Sequence, residues 1–232
     1  MRIAVVGGDR RFDLLTEMLA LRHDVVRDPD SLEGVDAVVA KGEIAAPPQV
    51  RKITMGGSGT DLMQDGHFVR ENAALTAEGA LCAAMNSGAG AVRGSICLVI
   101  GYGRIAQALH GMLSGMGARV IVAARREAAR AMAAQSGAEV VSLAADELDA
   151  RLRQADYIFS TPPAMILTEL RLRAVRPGVP VIDLASPPYG VDLQAAQRLG
   201  VRAWRESGLP GRYCPAAAAR LMAETVEGYL AQ

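Results

Sequence analysis

Short runs of β-branched and other apolar residues alternate along the chain with stretches whose apolar positions recur every three to four residues. Such alternation predicts parallel sheets joined by crossover helices. The first run, Ile3-Ala4-Val5-Val6, ends in the turn Gly7-Gly8-Asp9. A helix follows with Phe12, Leu15, Met18 and Leu19 on one face. Further strands are expected at 24–26, 37–40 and 51–54, with loops at 45–48, where two prolines withhold donors, and at the glycine-rich 56–59. A helix over 77–85 then bridges to a second, clearer unit, with Thr76 at its N-cap and Glu78 in its first turn.

The second unit opens on Ile96-Cys97-Leu98-Val99-Ile100, a continuous apolar run suited to a strand buried on both faces. After the turn from Gly101, a helix carries the stripe Ile105, Leu109, Met112, Leu113 and Met116 and stops at Gly117, a natural C-cap. Strands are expected at 119–124, 139–141, 157–160, 180–184 and 201–204, with helices between the first of them ending near 136 and 154. The pattern predicts two α/β domains. Residues 1–72 form a small N-terminal one, and 73–214 a Rossmann-type, doubly wound parallel sheet. Residues 215–232 form a helix returning to the first domain.

Composition narrows the function. Half of the 232 residues are hydrophobic, enough for one large core or two small ones. The 25 basic residues balance 25 acidic ones without a clustered basic face, and aromatic residues are few, so nucleic acid is not the expected partner. Cys82, Cys97 and Cys214 are far apart and form no C-x-x-C, which fits a reducing compartment rather than a disulfide or zinc framework. His23, His67 and His110 lack metal-ligand spacing, and His110, off the apolar stripe of its helix, is expected to be solvated. No apolar run approaches the ~18–20 residues of a membrane span, and the N-terminal run is short for a signal peptide. A soluble, cytoplasmic, metal-free and oligomeric protein is expected.

The chemistry points to a dinucleotide. In Gly101-Tyr102-Gly103-Arg104-Ile105-Ala106, Gly101 permits the tight turn out of the strand and Gly103 lets a pyrophosphate approach the backbone. Ala106 keeps the helix close to the sheet, and the helix N-terminus offers N–H groups to the phosphates. The competing reading is a merely structural strand–turn–helix. At the end of the next strand, where NAD-binding domains usually carry a carboxylate for the ribose, stand Arg125 and Arg126. Guanidinium groups there suit the 2′-phosphate of NADP; alternatively both arginines are solvated at a helix start. Arg104 is a further candidate for the pyrophosphate. Thr161 and Pro162, after the strand at 157–160, are candidates for the nicotinamide-ribose half. The loops at Asp183-Leu184-Ala185-Ser186 and Gly208-Leu209-Pro210-Gly211 are candidates for a substrate, or turn chemistry only.

Together these motifs resemble the family of dipicolinate synthase A chains. The resemblance runs over Val6-Gly7-Gly8-Asp9-Arg10, Thr76-Ala77-Glu78-Gly79, Gly94-Ser95, Gly101-x-Gly103-Arg104 and Ala124-Arg125. It continues through Pro163-Ala164-Met165-Ile166-Leu167, Asp183-Leu184-Ala185-Ser186 and Gly208-Leu209-Pro210-Gly211. It implies an NADP-dependent oxidoreductase of sporulation, converting 4-hydroxy-tetrahydrodipicolinate, a lysine-pathway intermediate, to pyridine-2,6-dicarboxylate by water loss and hydride transfer. The flavoprotein-like B chain of dipicolinate synthase is the implied partner. Two departures stand out: a shorter N-terminal domain, and Ala216-Ala217 where the family pattern has a Lys-Thr pair.

Under this reading a small dicarboxylate sits in a cleft between the domains. Its donors are Asn72, Thr76, Ser186 and the backbone of Gly208, Leu209, Pro210 and Gly211, and Glu78 or Asp183 serves as base. The alternatives are a shikimate-dehydrogenase-like enzyme of another small carboxylic acid and a non-catalytic NADP-sensing module. The first asks for a Lys/Asp pair, yet Lys41 and Lys52, the two lysines of the chain, lie in no clear pairing motif. A methyltransferase would want an acid where Arg125 and Arg126 stand.

Overall fold

A computed structural model of the chain describes residues 1–231. In chain order the first elements are β1 (Arg2–Val6), α1 (Arg10–Leu19), β2 (Asp24–Arg27), β3 (Ala37–Lys41), β4 (Arg51–Met55), β5 (Thr60–Asp61) and α2 (Gly66–Asn86). Then come β6 (Ile96–Ile100), α3 (Arg104–Gly115), β7 (Arg119–Ala123), α4 (Glu127–Gln135), β8 (Glu139–Val141), α5 (Ala145–Leu152) and β9 (Tyr157–Ser160). The last are α6 (Glu169–Leu172), β10 (Val181–Asp183), α7 (Leu193–Leu199), β11 (Ala203–Arg205), α8 (Leu209–Tyr213) and α9 (Pro215–Leu230). The chain divides into two compact units, Met1–Leu75 with Pro210–Gln232, and Thr76–Leu209.

The first unit holds a parallel sheet of order β2-β1-β3-β4-β5. Apolar side chains on both faces of its central strands explain the burial of β1: Ile3 and Val5 join Phe12, Leu15 and Leu19 of α1, while Ala4 packs with Val38, Ala40 and Val50 on the other face. The C-terminal helix returns as the sequence pattern suggests. Leu221, Met222 and Val226 of α9 complete the cluster around α1, and Pro215 starts α9 where a missing N–H costs nothing. His23 reaches Glu227 of α9 at 3.2 Å.

The start of α2 differs from expectation. Thr76 does not cap a helix beginning at 77. α2 starts well before it, where the Asp65 carboxylate accepts the N–H of Phe68 at 2.7 Å, a bond that holds its pKa below the usual value. Asn72, Thr76 and Glu78 are therefore interior helix positions. The buried stripe of α2 starts at Phe68 and Val69 and continues through Ala73, Ala77, Ala80 and Ala84, where the spacing is helical but the side chains carry too little hydrophobicity to stand out in the pattern.

The second unit has a six-stranded parallel sheet of order β11-β10-β9-β6-β7-β8, the doubly wound arrangement with its crossover reversal between β6 and β9. β6 is buried on both faces and pairs with β7 and β9, Ile100 lying opposite Ala123 and Ser160. One core layer brings Leu98, Ile100, Ile121 and Ile158 together with Leu148, Leu152, Leu172 and Val191. Gly117 follows α3 at φ +81, the left-handed conformation that favours glycine. No helix among the described residues is long and apolar enough to cross a membrane.

Candidate functional site

A cavity of about 510 Å³ opens beyond the carboxyl ends of the second unit's strands. Its walls are the turn 101–103 after β6, residues 124–126 after β7, Leu143 after β8 and residues 161–166 after β9. It therefore sits at the crossover reversal, where open α/β sheets leave a crevice.

The floor is the glycine turn. Gly101 has φ +88, and a Cβ there would stand 2.5 Å from Thr161 Oγ1 and 2.9 Å from Pro162 Cγ. Gly103 caps α3 in an extended conformation and provides no side-chain bond to the helix. Nothing lies within 4 Å of where its Cβ would be. The first N–H groups of a helix lack intrahelical partners, and here no side chain of the cap takes their place. Ala106 is fully buried, so α3 sits close on the sheet. The arrangement presents bare donors and the positive end of a 12-residue helix to an anion. Ile105 is half-buried in that first turn, and Arg104 is exposed beside it.

The Tyr102 side chain turns away from this face. It is buried, and its hydroxyl lies 3.2 Å from His110 Nδ1. Gln107 Nε2 donates to the Tyr102 carbonyl at 3.2 Å. His110 is buried rather than solvated. Burial pushes its pKa below the usual histidine value, because the charged imidazolium would lose its water. The apolar stripe alone could not show this, since Tyr102 covers a polar position of the helix.

Arg125 and Arg126 are exposed on the opposite rim. Two further arginines escaped the sequence reading. Arg130, one turn into α4, donates from Nη1 to the carbonyls of Ala124 and Arg125, both at 2.8 Å. It holds the main chain that carries the two rim arginines. Arg171 donates to Leu143 O at 2.6 Å and to Ile166 O at 3.3 Å, tying the walls after β8 and β9 together. Their only sequence signal is a basic residue early in a helix that follows a cavity loop.

Thr161 and Pro162 line the wall facing Gly101. The Thr161 hydroxyl donates to Ile100 O at 2.9 Å, so it positions the wall rather than offering a proton to a ligand. Beyond this wall, Asp183 is fully buried. It accepts from Gly190 N at 3.3 Å, from Ala185 N at 3.2 Å and from Arg205 at 3.3 Å. Ser186 is exposed on the same loop. Glu78 is exposed on α2, and Asn72 and Thr76 are half-buried there; none of the three lines the cavity.

The Gly208–Gly211 stretch is not the open backbone loop expected. Residues from Leu209 onward form a helical turn, α8, and Leu209, Pro210 and Gly211 are buried. A Cβ on Gly211 would stand 2.8 Å from Arg11 Nε, so that glycine serves close packing. In the same unit Lys41 Nζ lies 3.9 Å from Asp9, a Lys/Asp pair the sequence did not suggest. Asp9 is already clamped by Arg11 at 2.6 and 2.8 Å, and that bond holds its carboxyl below the usual range.

Comparison with known proteins matches residues 67–185 to the family model described as D-isomer specific 2-hydroxyacid dehydrogenase, NAD binding domain. The chain is 32% identical over 161 residues to the dipicolinate synthase A chain of Bacillus subtilis (strain 168), covering 69% of this chain and 54% of that protein. The chain thus spans about half the length of that relative. Among solved structures it is similar to the dipicolinate synthase A chain from Bacillus halodurans (TM-score 0.87, 22% identity, 100% and 98% of the two chains). It is also similar to the solved A chain from Bacillus subtilis (TM-score 0.84, 21% identity, 100% and 96%). These two likenesses show the fold.

Proposed function

The chain belongs to the D-isomer specific 2-hydroxyacid dehydrogenase NAD-binding family, and from that premise we propose that it is an NADP-dependent oxidoreductase of the dipicolinate synthase type. One observation carries the cofactor reading. The empty cap of α3 and the rim arginines Arg125 and Arg126 open onto the same cavity, one suited to a pyrophosphate and the other to a 2′-phosphate. Arg130 supports the choice, because it fixes the backbone from which both rim arginines project. Bound there, the nicotinamide supplies the hydride acceptor. The protein's own residues hold the phosphates, and Thr161, Pro162 and Met165 form the wall against which the rest of the cofactor lies.

The proposed reaction is water loss from 4-hydroxy-tetrahydrodipicolinate, then removal of a hydride to NADP and of a proton to a base, giving pyridine-2,6-dicarboxylate. Glu78, exposed on α2, is proposed as the base on its access to solvent, whereas Asp183 is fully buried among two N–H groups and a guanidinium. Ser186 is proposed as a donor to the substrate. The flavoprotein-like B chain is the proposed partner.

The test mixes purified protein with the substrate and NADP, with and without the B chain, and follows NADPH absorbance and pyridine-2,6-dicarboxylate. Formation of both supports the reading. Tight NADP binding without turnover in either mixture would leave a cofactor-sensing module instead. Equal affinity for NAD and NADP would remove the 2′-phosphate argument.

A further inference from the structure

Arg205 closes β11 directly opposite Asp183, the last residue of β10. Its Nε and Nη2 both lie 3.3 Å from Asp183 Oδ2. Its Cζ stands 3.3 Å from the centre of the Tyr189 ring. Tyr189 itself has φ +70, a conformation costly for a residue with a bulky side chain and held here by its N–H to Ser186 O at 2.9 Å. One edge and one face of the guanidinium are thus occupied. The Nη1 edge has no protein partner among the described residues, and the side chain remains 30% exposed. A guanidinium clamped this way keeps its fork rigid, whereas an ordinary surface arginine must lose side-chain freedom to bind anything.

The cluster adjoins the cofactor cavity through main-chain bonds. Gly190 accepts the N–H of Ile166, a cavity wall residue, at 3.1 Å and donates to Asp183. A Cβ on Gly190 would collide with Ser160 Oγ and come within 3.2 Å of Pro162 O, so only glycine lets this loop lie down on the wall after β9. Along the sheet, the order β6, β9, β10, β11 puts Arg205 two strands beyond that wall, on the side away from Arg125 and Arg126.

We propose that the free edge of Arg205 binds a carboxylate of the substrate, with Tyr189 and Asp183 positioning the guanidinium. This rests on the oxidoreductase reading and names the group that recognises an acid substrate. The Arg205–Asp183 pair is neutral overall, so the ligand charge is met by directed hydrogen bonds rather than by a net positive field. Asp183 is then a positioning residue.

The test measures binding of pyridine-2,6-dicarboxylate and of its uncharged dicarboxamide to the NADP-loaded protein by calorimetry. The wild type is expected to bind the dicarboxylate about 10–100-fold more tightly than the dicarboxamide, the range for hydrogen bonds to a charged group. Arg205→Lys can pair with Asp183 but has no second edge, so it should lose that preference while keeping its NADP affinity. The double change Asp183→Asn with Arg205→Gln removes both charges without stranding a buried one, and should also lose it. A preference retained in both variants would overturn the assignment, as would a wild type that binds diacid and diamide equally. If the diacid binds as expected but no NADPH forms with substrate and the B chain, the reaction is wrong while the carboxylate site stands.

Discussion

The two units solve the same local problem in opposite ways. Each contains a buried strand followed by a glycine turn and a helix. In the first unit the turn after β1 is closed by the protein itself. A Cβ on Gly7 would stand 2.5 Å from the Phe12 ring, and the Asp9 carboxylate caps α1 through the Arg11 N–H at 3.1 Å. Arg11, only 3% exposed, neutralises that carboxylate from within. In the second unit the turn after β6 has no capping side chain and faces a cavity. The same strand–turn–helix is therefore a packing element in one place and an anion site in the other. What separates them is one carboxylate and one aromatic ring.

The sharpest way to break that contrast is Gly103→Asp. The new side chain gives α3 the cap that α1 already has, and it puts a negative charge where the pyrophosphate would rest. Calorimetry should show dinucleotide affinity falling at least about 100-fold, while thermal unfolding shows a stable or slightly more stable protein. Unchanged affinity would mean that the open turn is not the phosphate site.

Next in size is Asp9→Asn. Asparagine keeps an N-cap acceptor but leaves the buried Arg11 without its anion, so stability in urea should drop by about 3 kcal/mol. Phe12 still fills the turn, so no dinucleotide affinity should appear. The wild-type contribution has a defined pH dependence. Because the Arg11 hydrogen bond lowers the Asp9 pKa in the folded state, it is present above the ordinary value of 3.8 and lost as the pH falls through the lowered one. The variant should lack that acid-sensitive part.

Arg125→Asp should cost about 2 kcal/mol in NADP binding and leave NAD weakened less, or even favoured. Side-by-side titrations of the two dinucleotides check this.

The smallest effect belongs to His110, which lies under the open turn through Tyr102. Its folded pKa is lowered by burial, so its contribution is present above the ordinary value of 6.5 and lost as the pH falls below it. Wild-type melting temperature should decline from neutral to mildly acidic buffer, and His110→Gln should flatten that slope.

Strand and helix periodicities, and the glycine spacing at 101–106, were legible because they are local. A strand buried on both faces must be apolar throughout, and a turn with positive φ selects glycine. The α2 start was hidden because Phe68 and Val69 are its only strongly apolar buried positions before alanines carry the stripe onward, and the helical turn at 209–213 because Gly and Pro read as a loop. Arg130, Arg171 and Arg205 were hidden for a different reason: an arginine's role depends on what its guanidinium meets across the chain.

From the sequence alone came the alternation of strands and helices, the glycine turn and the absence of an acid at its usual ribose position. Only the tertiary structure decided which glycine turn stays open. Phe12 packs over one turn and Asp9 caps its helix, whereas Thr161 and Pro162 touch the other turn only at Gly101 and leave the cap at Gly103 bare; that difference is one of packing in three dimensions, to which a local pattern is blind.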